Sequence, residues 1–92
     1  MGPDEKKLRQ SPEIAFRMVG EEAVVMTPGD SMIHMFNGTG TFIFKLLSQP
    51  RTPEEVEREV AGAYETDKTK LSREVSAFLS ELRRKGIVVP CR

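Results

Sequence analysis

The chain has 92 residues, 38% hydrophobic and 30% charged, which suits one small folded domain and leaves no room for a catalytic domain beside a binding domain. Its 14 Lys and Arg balance its 14 Asp and Glu, and zero net charge argues against a protein whose main task is gripping nucleic acid. The longest apolar run is about four residues, far short of the roughly 20 that span a bilayer, and no secretory signal opens the chain, so a cytoplasmic protein without a membrane partner is expected.

Residues Met1 to Pro12 are polar, hold Pro near both ends and show no sustained apolar period; they read as a flexible N-terminal tail, with a single domain over 13–90. Ile14, Phe16 and Met18 then alternate along an extended segment, as a half-buried strand requires. Gly20-Glu21-Glu22 is a short turn, and Ala23 to Met26 a second strand, making a hairpin. Thr27-Pro28-Gly29-Asp30-Ser31 turns the chain again into a third strand, Met32 to Phe36. In such a meander the third strand is an edge with unpaired backbone groups.

Asn37 suits a helix cap, and Phe42, Ile43, Leu46 and Leu47 recur at helical spacing, predicting a helix over about Thr39 to Ser48. Gln49-Pro50-Arg51 ends it. Thr52, Pro53 and Glu55 form the clearest start signal in the chain, a capping box, followed by an apolar stripe of Val56, Val60, Ala63 and Tyr64. The longest helix, about Thr69 to Lys85, carries Leu71, Val75, Phe78, Leu79 and Leu82 on one face and stops at Gly86. Ile87-Val88-Val89 is an apolar exit that either pairs as a strand or covers the core, ended by Pro90.

Charge is segregated late in the chain. Residues 52–67 hold six acids against Arg58, whereas residues 68–92 hold seven bases against Glu74 and Glu81. Two such segments can pair with each other or present a two-signed surface to a partner.

Groups for catalysis are scarce: one histidine, His34, one cysteine, Cys91, and no HExxH, CxxC or Gly-x-Ser-x-Gly pattern. No metal site, cofactor or enzymatic activity is expected. Gly38-Thr39-Gly40 lacks the third glycine of a dinucleotide loop and the lysine of a phosphate loop, so helix-start geometry accounts for it.

Three strands followed by three helices joined by short turns form an α+β, winged helix-turn-helix-like layout: a three-stranded antiparallel meander, then three helices. The order and spacing of Ile33-His34-Met35-Phe36-Asn37, Ile43 to Leu47, Arg51-Thr52-Pro53-Glu54-Glu55-Val56, Val75 to Leu82 and Gly86-Ile87-Val88 resemble the PqqD family, that is, coenzyme PQQ synthesis protein D and related precursor-peptide recognition elements. The resemblance covers about residues 12 to 89 and departs from the family's usual pattern at Phe36, Gly38 and Gly40.

It implies a non-catalytic chaperone that binds the leader of a ribosomally made precursor peptide and presents it to a modifying enzyme, often a radical SAM protein. The peptide would add beside Met32, Ile33, His34, Met35 and Phe36 and pack on the third helix, through residues among Leu71, Val75, Phe78, Leu79 and Leu82. The physics is compatible, since an open edge offers backbone hydrogen bonds to any guest and pockets beside it select alternate side chains. Lys68, Lys70 and Arg73 near the start of that helix either attract acidic leader side chains or form a plain solvated face. Two other readings share these features: a winged-helix DNA-binding regulator using the third helix, and a small edge-pairing scaffold; the resting state is a monomer or weak homodimer.

Overall fold

A computed structural model describes residues 7–65 and 67–91. Five strands and three helices follow in order: β1 (Lys7–Gln10), β2 (Ala15–Val19), β3 (Glu22–Thr27), β4 (Met32–Phe36), α1 (Gly38–Leu46), α2 (Pro53–Ala63), α3 (Lys68–Arg84) and β5 (Val88–Cys91). Both sheets are antiparallel, a β2-β3-β4 meander and a separate β1-β5 pair, so the fold is α+β with three helices.

Local signals explain the helix starts. Asn37 Oδ1 accepts from Gly40 N at 3.2 Å and opens α1. Thr52 Oγ1 accepts from Glu55 N at 3.1 Å while Glu55 Oε1 accepts from Thr52 N at 2.9 Å, closing a capping box on α2. Asp67 Oδ1 accepts from Thr69 N and so starts α3. Gly86 takes φ +76° after α3, a left-handed position that suits glycine and stops the helix.

The N-terminal expectation is corrected between residues 7 and 10. Met1 to Lys6 lie outside the described residues, but Lys7–Gln10 is a strand, not a tail: it pairs with Val88–Cys91, and Leu8 is only 4% exposed. On its other side Leu8 N donates to Arg51 O at 2.7 Å, and Gln10 N to Leu47 O at 2.8 Å. One short segment thus sews the α1–α2 connection to the C-terminus. Pro90 does not end the last strand but sits inside it, opposite Leu8. An edge strand tolerates proline because one of its sides makes no ladder bonds.

Two apolar stripes also shift. Phe44, not Phe42 or Leu46, is the fully buried centre of α1, with Ile43 and Leu47 beside it. In α2 only Val56 and Val60 are buried; Ala63 and Tyr64 are exposed at its end, Tyr64 edge-on to Phe42 at 5.6 Å. The core gathers Ala23, Val25, Phe44, Leu47, Leu82 and Ile87 between the meander and the helices. The anticipated half-burial of β2 is not reached, as Phe16 is 47% exposed even though its ring meets Phe44 edge-on at 4.9 Å. No described helix is long and apolar enough to cross a membrane.

Candidate peptide-docking edge and groove

β4 is an edge of the meander: β3 fills one side, and no described strand pairs with the other. Its side chains alternate. Register pairs Phe36 with Ala23 and His34 with Val25, which puts His34 and Phe36 on the core-facing side, half-buried. Ile33 and Met35 share the opposite face with Met26 and Val24, and are 63% and 64% exposed. Met32, 52% exposed, ends the strand beside the turn.

Both ends of β4 are held by side chains. At the far end, Thr41, 4% exposed, donates from its Oγ1 to Phe36 O at 3.0 Å and accepts from Ala23 N at 3.0 Å. One hydroxyl therefore fixes α1 to β3 and to the last carbonyl of β4. At the near end, Asp30 accepts from the Thr27 hydroxyl and, at 3.1 Å, from Met32 N. His34 Nε2 stands 3.4 Å from the Thr27 oxygen.

The Thr27 hydrogen bond, helped by the Met32 amide, holds the Asp30 carboxyl below its ordinary value of 3.8. A carboxylate with a depressed folded-state pKa contributes stability that is present above 3.8 and lost as pH falls through the folded value. Thermal melts at neutral pH and near pH 3 should therefore show a smaller acid loss for Asp30→Asn than for the unmodified chain, and an equal loss in both would remove this role.

Between α1 and α3 lies a groove of about 260 Å³. Asn37, Thr39, Gly40 and Ile43 form one wall, and Leu71, Glu74, Val75 and Phe78 the other. Phe78, the one ring that lines the groove, meets Phe36 edge-on at 5.6 Å, and Phe36 in turn leans on Phe44 at 5.9 Å. Gly40 permits this closeness. A Cβ there would lie 3.2 Å from Phe36 Cβ and 3.3 Å from Phe78 Cζ, tighter than ordinary contact. A volume below the roughly 300–1,000 Å³ of small-molecule pockets suits one or two side chains of a chain lying alongside. Another cleft, about 520 Å³ and bounded by Phe42, Lys45, Leu46, Arg51 and Tyr64, touches neither β4 nor α3.

The structure thus brings Leu71, Val75 and Phe78 to one groove, with Leu71 and Val75 mostly occupied in the core at 7% and 2% exposure, while Phe36 stays outside its lining and reaches it through the Phe78 ring. Arg73 is not there; it lies with Thr69, Ser72, Ser76 and Ser80 on another face of α3. Lys70 is exposed and lines none of these openings. Sequence reasoning missed Thr41, Glu74 and the contact made possible by Gly40. The Asn37 cap signal located the start of α1, but nothing local says which hydroxyl will meet a strand end. Among the described residues no three His, Cys, Asp or Glu stand close enough to hold a metal ion.

An open strand edge and an apolar groove on one small α+β domain define the class of fold. The chain belongs to the PqqD family: the family model for coenzyme PQQ synthesis protein D matches residues 22–88. No curated protein is matched.

Three solved structures share the fold. A chain described as TbiB1 in complex with the TbiA(beta) leader peptide aligns with TM-score 0.80 and 21% identity, over 87% of this chain and 93% of that one. A lasso peptide synthetase B1 complexed with the leader peptide gives TM-score 0.77 and 23% identity, over 90% and 98%. The PqqD truncation of Methylobacterium extorquens PqqCD, described as a functional stand-alone recognition element for ribosomally synthesised and post-translationally modified peptides, gives 0.70 and 14%, over 90% and 88%.

Proposed function

We propose that this protein is a non-catalytic binding module that takes the leader of a ribosomally synthesised precursor peptide as an added strand on β4 and presents it to a modifying enzyme. The observation that carries this reading is the open edge of β4, whose last residue Phe36 meets Phe78 of the α3 groove edge-on. The edge supplies backbone hydrogen bonds independent of guest sequence, and the groove supplies selection through alternate side chains. Family membership supports the same reading, as do two similar folds described with leader peptides bound.

On this reading the meander and helices act as one winged helix-turn-helix-like module in the cytoplasm, a monomer or weak homodimer whose β4 edge stays open. The enzyme served is a radical SAM protein or another modifying enzyme. The DNA-binding alternative loses ground because Arg84, the last residue of α3, and Lys85 just after it are both paired with Glu81.

The test is fluorescence anisotropy with the leader peptide encoded beside this chain's gene. Phe78→Ala should weaken binding about tenfold, or about 1.4 kcal/mol. Ser76→Ala, on the Arg73 face of the same helix, should leave it unchanged. Equal effects of the two substitutions would place the peptide elsewhere.

A further inference from the structure

The groove has one charged residue in its walls, and that residue is an acid. Glu74 sits on the α3 side among Leu71, Val75 and Phe78, and everything else lining the groove is apolar or neutral. It is exposed, and neither ion pair found among the described residues involves it. The next acid along α3, Glu81, is already engaged by Arg84 and Lys85. Of the bases nearest in sequence, Arg73 lies on a different face of the helix and Lys70 does not line the groove. A guest in the groove therefore meets a carboxylate that neither ion pair among the described residues engages, beside an apolar seat, with Lys70 one turn earlier on the same helix.

We propose that Glu74 is a specificity-determining residue that makes the groove select leader segments in which a Lys or Arg lies beside the apolar residue seated against Phe78. This inference rests on the docking reading above and goes further by naming the chemistry of the guest. It also reverses the expectation from the positive balance of residues 68–92, by which α3 would attract acidic leaders.

The geometry assigns a direction as well. The other wall is the N-terminal end of α1, where the helix dipole is positive and no acid stands in the first turn. A cation on that side meets repulsion, and one on the α3 side meets Glu74. The apolar side chain is thus seated between Phe78 and the Gly40–Ile43 wall, and its basic neighbour lies on the Glu74 side. The pair is at the rim, so salt weakens it over a screening length of about 10 Å at 0.1 M.

A displayed library of random linear peptides, selected on the full chain at low salt, tests this whatever the natural leader is. The expected result is an enriched apolar residue with Lys or Arg at a fixed offset. Peptides so selected should bind Glu74→Gln about threefold and Glu74→Lys about tenfold more weakly, with the gap shrinking as salt rises. A library reselected on Glu74→Lys should enrich Asp or Glu at the same offset. Glu74 is exposed, so both variants should retain the wild-type melting temperature. Enriched peptides that bind at β4 and α3 with no charge preference, or that ignore both substitutions, would overturn the role of Glu74 and leave strand docking intact. Enrichment of peptides that bind away from β4, or no enrichment, would overturn both.

Discussion

Replacing Phe44 with alanine is expected to cost about 3–5 kcal/mol, the range for deleting a fully buried phenylalanine, against a total stability of about 5–15 kcal/mol for a domain of this kind. Phe44 has no exposed surface and is a hub for rings: Phe16 meets it edge-on at 4.9 Å and Phe36 leans on it at 5.9 Å. The substitution empties a cavity and also removes aromatic contacts that contribute about 0.5–1.5 kcal/mol beyond area burial. Urea unfolding should show a much lower midpoint for Phe44→Ala and a smaller change for Phe44→Leu, which retains most of the volume. The damage should reach the docking edge, because Phe36 at the end of β4 loses the ring behind it. A midpoint close to wild type for Phe44→Ala would mean that the rings are not packed as described.

Leu8→Ala should lower the melting temperature by about 15 °C, from a cost of about 3 kcal/mol at about 4–8 °C per kcal/mol for a domain of this size. A residue in a flexible tail would produce no change. Leu8 is 4% exposed, opposite Pro90 in the β1-β5 pair and bonded through its backbone to Arg51 on the other side. Differential scanning calorimetry on Leu8→Ala and on Lys7→Ala, an exposed neighbour in the same strand, separates burial from strand propensity. If the two melt alike and near wild type, β1 is not part of the folded core.

These two residues also mark where the sequence stops being informative. The capping box at Thr52, the Asn37 cap and the meander are legible because their signals are local: a side chain and the amides two or three residues on, or two strands joined by a tight turn. β1 has no such signal. Lys7-Leu8-Arg9-Gln10 holds one apolar residue, and its partner lies at the far end of the chain, so only the assembled fold identifies it as a strand. Phe44 shows a related limit. Five of the six residues from Phe42 to Leu47 are apolar, so periodicity finds the helix but leaves its rotation about the axis ambiguous, and packing chooses Ile43, Phe44 and Leu47 for the interior.

The proposed docking site divides the same way. β4 and the apolar stripe of α3 follow from alternation and helical period, and the alternation assigns Phe36 and His34 to one face and Ile33 and Met35 to the other once β3 is known. The charge beside the groove does not follow from segment totals. A helix with a basic balance still turns Arg73 and Glu74 to different faces, because consecutive residues lie about 100° apart around the axis. The sum of charge over residues 68–92 points to acidic guests, whereas the face that lines the groove carries an acid.

Docking of a guest strand on β4, read by α3, is tested most directly by backbone amide spectra of the labelled protein titrated with its leader peptide. Large shifts are expected at Met32 to Phe36 and along the Leu71–Phe78 side of α3, together with slowed hydrogen exchange at alternate β4 amides as they gain partners. Shifts confined to β1, β5 or α2, with β4 amides exchanging as fast as in the free protein, would contradict it.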